Sequence, residues 1–232
     1  MAKVVTFGEI MMRLAPPGFE RLIQANQLEV TYAGGEANVA VSLAAFGHEA
    51  RYVTAVPANP LGEAALATLR YYGVDTSHCL RVPCAGLGVY YFDAGASQRP
   101  STLIYDRANS AIAAAAADAF DWSSILAGCD ALHTTGITPA LSPAAAEATR
   151  VALSTAKNMG LTTSFDLNYR RKLWSREQAR ATVEPLLEYV DIVIGNEEDA
   201  KDVLGISAEK TDVGSGRLEH QDARGAGKRF AG

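Results

Sequence analysis

The chain has 232 residues, 48% of them hydrophobic, and a formal net charge of −5 at pH 7. That is enough apolar material for one large core, and the acidic balance argues against nucleic acid as the main partner. No run approaches the roughly 18 apolar residues of a membrane span, so no membrane partner is expected. Cys79, Cys84 and Cys129 include no C-x-x-C pair, which argues against a disulfide framework or a cysteine zinc site. The four histidines, His48, His78, His133 and His220, show no metal spacing. The start of the chain reads as a strand rather than a signal peptide, and the expected compartment is the cytoplasm.

Lys3 to Gly8 is a short apolar run closed by glycine, as a buried strand is. Pro16-Pro17-Gly18 marks a loop. Leu28 to Tyr32 is the next strand, followed by Gly34-Gly35-Glu36-Ala37-Asn38 and a helix to Phe46. That helix is apolar on nearly every side, which predicts burial against a sheet. Arg51 to Val56 reads as a strand and Leu61 to Tyr72 as a helix ended by Gly73. Leu87 to Phe92 and Thr102 to Tyr105 form a two-stranded excursion. The alanine-rich run from Ala111 to Ala117 fixes no structure by itself.

From Ala131 onward, strand and helix alternate. Strands are expected at Ala131 to Thr135, Leu161 to Asp166 and Asp191 to Ile194. Helices are expected from Ser142 to Asn158, Ser175 to Tyr189 and Glu197 to Leu204, the last closed by Gly205. This rhythm defines an α/β fold with a mainly parallel sheet. Residues 211–232 differ: five glycines and almost no apolar pattern make an atypical tail with little to bury.

Candidate site residues fall where strands end, which is where ligands gather in such sheets. A glycine pair between strand and helix lets backbone approach a ligand and points free helix N–H groups at it. Asn38, one turn into the helix, faces the same side as Gly34 and Gly35. On its own this is more simply an ordinary strand-to-helix turn. Asp166, Asn168 and Arg170 alternate where a strand opens into a loop, a pattern suited to a phosphate or a polyol. Asn196-Glu197-Glu198-Asp199 offers oxygens for Mg²⁺, or simply acids at a helix N-terminus. Tyr90 with Phe92, and Tyr105 with Arg107, share strand faces and suit an anionic hydroxylated ligand, or a half-exposed aromatic β surface. Gly225-Ala226-Gly227-Lys228 is not a P-loop, because Asp222 and Arg229 stand where glycine and Ser/Thr are needed.

Together, VVTFGEIMMRLAPPG, YAGGEANVAVSLAAFG, TAVPANPLGEAAL, GVYYFDAGASQRPSTLIYDRANSAIA, HTTGITPALS, FDLNYRRKLW and IVIGNEEDAKDVLG resemble the ribokinase (PfkB) family of sugar kinases. Within it they are most similar to the members acting on 2-keto-3-deoxygluconate. The resemblance runs from about Met1 to Ile206. It implies a ribokinase-like three-layer Rossmann-type α/β domain, here residues 1–210, with a small β lid from about 12–31 and 86–107. A homo-oligomer formed through the lid is also implied. The implied reaction moves the γ-phosphate of ATP, with Mg²⁺, to the 6-hydroxyl of the sugar acid.

By the same resemblance, Gly34, Gly35 and Asn38 would hold sugar hydroxyls. Tyr90, Tyr105, Arg107 and Arg170 would contact the sugar acid, with the arginines on its carboxylate. Asn168, Asn196 and Asp199 would serve phosphates and Mg²⁺, with Asp199 standing in the last place of the family's N-x-x-E motif. The family's D-x-x-G-A-G-D signature aligns with Asp222 to Lys228. Gly225, Ala226 and Gly227 are then the anion-hole candidates, and the general-base position reads Lys228. A protonated lysine cannot take the proton, though it can bind phosphate. Two alternatives follow: a non-catalytic sugar-acid binder, and a truncated inactive product. A fructose- or ribose-like sugar is the runner-up substrate.

Overall fold

The computed structural model describes residues 1–206. In chain order its elements begin with β1 (Lys3–Phe7), β2 (Met11–Ala15), β3 (Glu29–Ala33), α1 (Gly35–Ala45), β4 (Glu49–Val53) and β5 (Ala55–Pro57). Then come α2 (Pro60–Tyr71), β6 (Leu80–Val82), β7 (Val89–Asp93), β8 (Thr102–Asp106), α3 (Ala111–Ala114) and α4 (Trp122–Leu126). The last are β9 (Ala131–Thr135), α5 (Pro143–Asn158), β10 (Thr162–Asp166), α6 (Arg176–Leu186), β11 (Ile192–Ile194) and α7 (Glu197–Leu204).

Five strands form an all-parallel main sheet in the order β11-β10-β9-β1-β4. Parallel neighbours need long crossovers, and α5 and α6 supply them between β9, β10 and β11. One face of the sheet packs Val5, Phe7, Leu132 and Phe165 against Trp122, Leu126, Ala152, Leu153 and Val183 from α4, α5 and α6. Phe7 sits edge-on to Phe120 and Trp122, with centroids 5.3 and 4.9 Å away. On the other face Ala50 and Tyr52 meet Ala37 and Ala40 of α1 and Leu66 and Leu69 of α2. The result is the three-layer α/β arrangement expected from the alternating pattern.

Helix starts are fixed by side-chain caps. The Ser142 hydroxyl accepts the Ala145 N–H at 3.1 Å. Ser175 and Gln178 cap each other's backbone reciprocally. Gly205 closes α7 in the left-handed conformation, with φ +67°.

A second sheet, in the order β3-β2-β7-β8, stands apart from the first. β2 pairs antiparallel with β3 and parallel with β7, and β7 pairs antiparallel with β8.

Several expectations are corrected. The helix read as buried all round is covered on one side only: Ala37 and Ala40 are buried, while Ser42, Ala45 and Phe46 face outward. Its small residues let it lie close to the sheet without being enclosed. The single strand expected at Arg51 to Val56 is two. The chain leaves β1 after Val53, and β5 pairs with β6 instead. The helix expected to reach Tyr189 ends at Leu186, one residue after Pro185, and finishes as a 3₁₀ turn over Leu187–Tyr189. Proline has no N–H to give and crowds the preceding turn, which favours that change.

Candidate active site

The carboxyl ends of the main strands and one face of the second sheet line a cleft of about 1880 Å³. Gly34, Gly35, Asn38, Tyr90, Tyr105, Arg107, Asn168, Arg170, Asn196 and Asp199 all line it. The remaining sequence candidates, Gly225, Ala226, Gly227 and Lys228, lie outside the described residues.

From the second sheet, one cross-strand row points inward. Thr31 pairs with Arg13, Arg13 with Tyr90, and Tyr90 with Tyr105, and all four line the cleft. The Tyr90 and Tyr105 rings are 5.9 Å apart, and partial burial raises the Tyr90 pKa. The Arg13 guanidinium lies 4.5 Å from the centre of the Phe92 ring. Arg107 stands 5.7 Å over the Tyr105 ring and is ion-paired with Glu9.

From the main sheet, α1 begins at Gly35, and Gly34 before it offers no side-chain cap. Asn168, just past β10, has the strained φ of +37°, a conformation that clusters at functional sites. Its side-chain nitrogen comes within 3.7 Å of where a Cβ on Gly35 would sit. Its N–H donates to Asp166 at 3.2 Å, and partial burial raises the Asp166 pKa.

At the start of α7, the Asn196 side chain accepts the Asp199 N–H at 2.8 Å, so Asn196 is a true helix cap as well as a cleft residue. Burial also raises the Asp199 pKa, opposed by a backbone hydrogen bond from Tyr169. No group of three or more His, Cys, Asp or Glu able to hold a metal occurs among the described residues. Asp199 with the oxygens of Asn168 and Asn196 fits a Mg²⁺ held chiefly through phosphates and water.

Two acids carry site geometry that sequence reasoning missed. Glu36 is 1% exposed, and its Oε1 accepts the Thr135 and Thr138 hydroxyls at 2.7 and 2.9 Å. It ties α1 to the end of β9, and a Cβ on Gly8 would collide with its carboxylate. Glu9 is 3% exposed and accepts the Ser110 hydroxyl at 2.6 Å. Isolated acids show no spacing signal. The one hint was an acid next to glycine at a strand end and at a helix start. His133, read as a satisfied core residue, is indeed buried, 3.1 Å from the Ser164 hydroxyl, and burial lowers its pKa.

A parallel sheet with a ligand-sized cleft at its carboxyl edge, roofed by a separate mixed sheet, defines the class of ribokinase-like α/β proteins. The chain belongs to the pfkB family carbohydrate kinases, whose family description matches residues 1–229. It is similar to the 2-dehydro-3-deoxygalactonokinase of Haloferax volcanii, at 41% identity over 92% of this chain and 67% of that one. It is also similar to the crystal structure of a 2-dehydro-3-deoxygluconokinase from Thermotoga maritima. That match has 45% identity and a TM-score of 0.91, and covers 99% of this chain and 70% of that one. A Pyrococcus horikoshii sugar kinase solved with ATP, at 20% identity and a TM-score of 0.76 over 88% of this chain and 67% of that one, shares the fold. The chain thus spans about two thirds of the length of each of these relatives.

Proposed function

We propose that the cleft binds a 2-keto-3-deoxy sugar acid, 2-keto-3-deoxygluconate first, and that the family reaction phosphorylates its 6-hydroxyl from ATP. The observation carrying this reading is the meeting in one cleft of two kinds of group. Tyr90, Tyr105 and Arg107 come from the second sheet; Gly34, Gly35, Asn38 and Arg170 come from the main domain. Hydroxyl-bearing walls that also present the Arg107 and Arg170 guanidiniums suit a polyol ending in a carboxylate. A neutral fructose- or ribose-like sugar would leave the planar Arg107 donors and the Arg170 charge without a carboxylate to meet them. Asn168, Asn196 and Asp199 are the residues that would face phosphates and Mg²⁺. ATP, when bound, supplies the phosphoryl group. The second sheet then serves as a lid. The reducing cytoplasm suits three free thiols at Cys79, Cys84 and Cys129.

Lys228 at the general-base position favours a second reading, a sugar-acid binder that does not turn over. Titration calorimetry with 2-keto-3-deoxygluconate, and separately with ATP and Mg²⁺, tests both. ADP formation dependent on the sugar acid supports the kinase and excludes the binder. Heat from the sugar acid without ADP formation supports the binder. No heat from the sugar acid overturns both. Running the C4 epimer beside it decides between the two acid sugars in the relatives' names.

A further inference from the structure

We propose that Glu9 is the positioning residue that makes Arg107 a carboxylate receptor, and so sets the preference for an acid sugar over a neutral one. This rests on the reading of the cleft given above. Glu9 leaves the main sheet just beyond β1, and its carboxylate meets three other parts of the chain. It pairs with Arg107 and accepts the Ser110 hydroxyl, both of which follow β8. It also presses against Gly88, just before β7, where a Cβ would come 2.7 Å from Glu9 Oε1. One buried acid thus fastens the roots of the second sheet to the end of β1.

The consequence falls on Arg107, whose side chain is 12% exposed. Its Nη2 is engaged by Glu9, and its Nε is buried without a partner among the described residues. A guanidinium offers five donors in one rigid plane. Holding one nitrogen on Glu9 and resting the plane near Tyr105 fixes where the other donors point. Because Glu9 cancels the charge of Arg107, the arginine contributes aimed donors rather than net attraction. A separate cationic group comes from Arg170, which is exposed and also lines the cleft. A planar carboxylate is the ligand that uses such aimed donors best. A neutral hydroxymethyl group in its place gains little from them.

The test compares wild type, Glu9→Gln and Gly88→Ala. The second variant crowds the Glu9 carboxylate while keeping every charge. Calorimetry is run with 2-keto-3-deoxygluconate and with 3-deoxyfructose, the same chain with the carboxylate reduced to an alcohol. The Arg107 Nε–H signal is followed by NMR, and thermal melts establish that each variant is folded. The expected result is a moved or broadened Arg107 signal, acid-sugar affinity lower by about tenfold, and neutral-sugar affinity unchanged, in both variants. Folded variants that keep the acid-to-neutral ratio of wild type overturn the proposal. So does an equal loss for both sugars, which marks Glu9 as a brace only. If wild type binds neither sugar, the reading of the cleft fails and the specificity role fails with it. The Arg107 signal still reports separately whether Glu9 holds that side chain.

Discussion

At Gly34 the missing side chain is demanded by the protein's own backbone. A Cβ there would strike the Glu9 carbonyl oxygen, whereas one on Gly35 would have its nearest neighbour 3.7 Å away. The adjacent glycines therefore differ in kind. Gly34→Ala should lose about 1–3 kcal/mol, and Gly35→Ala should hold its stability or gain up to about 1 kcal/mol from the stiffer unfolded chain. Urea midpoints check both; equal losses would refute the distinction. Glu36 gives a pH prediction. Burial, partly opposed by the Thr135 and Thr138 hydroxyls, raises its pKa above the ordinary 4.5. The folded state thus holds this proton more tightly than the unfolded state. Its contribution is full below about pH 4.5 and is lost as pH rises through the raised value. Glu36→Gln keeps an oxygen for both hydroxyls and titrates nothing, so its stability relative to wild type should climb with pH across that window. A difference that stays flat in urea melts from about pH 4 to 8 would contradict this.

Among the elements, the loop between β10 and α6 reaches across the cleft. The Lys172 ammonium donates to the Leu103 carbonyl at 3.2 Å and lies 5.6 Å from the centre of the Tyr105 ring. It straps the main domain to β8, a strand exposed along its whole length. An exposed contact of this kind is worth about 1 kcal/mol or less. Lys172→Met should therefore leave the global melt almost unchanged while speeding hydrogen exchange in β8. Unchanged β8 exchange would count against the strap.

The longer elements were legible because pattern and cap agree. β9 and α7 fall at the expected residues, and α5 starts directly after its cap, Ser142. β2 and β6 were not read as elements because an arginine interrupts each short apolar run, and α3 and α4, at four and five residues, are too short to show a helical period. In the site, strand-end residues such as Asn168 and Arg170 were visible through their position. Glu9 and Glu36 were not, because the partners that give a buried acid meaning lie about a hundred residues away, at Arg107, Ser110, Thr135 and Thr138.

Over the whole molecule, the two faces of the second sheet divide the labour. Val30, Leu14, Tyr91 and Ile104 form one cross-strand row on the face away from the cleft. Val30 is 53% and Ile104 52% exposed. We propose that this apolar row, on the back of the second sheet, seats a second copy of the chain. Ile104→Lys should shift sedimentation from dimer to monomer and leave each subunit folded; a wild type that sediments as a monomer would end the idea. Among the described residues, β11 is an edge strand of the main sheet, with Ile192, Val193 and Ile194 all exposed. Such an edge is a template for a further strand or for unwanted pairing.

The contact between Gly8 and Glu36 has a historical consequence. Any side chain at position 8 would occupy the space of the Glu36 carboxyl group, so the two positions are not free to drift independently. A lineage can shorten residue 36 first and afterwards accept a side chain at 8. The reverse order passes through an intermediate with two groups in one place. The order of substitution along this part of the chain is thereby given a direction by a single buried carboxylate.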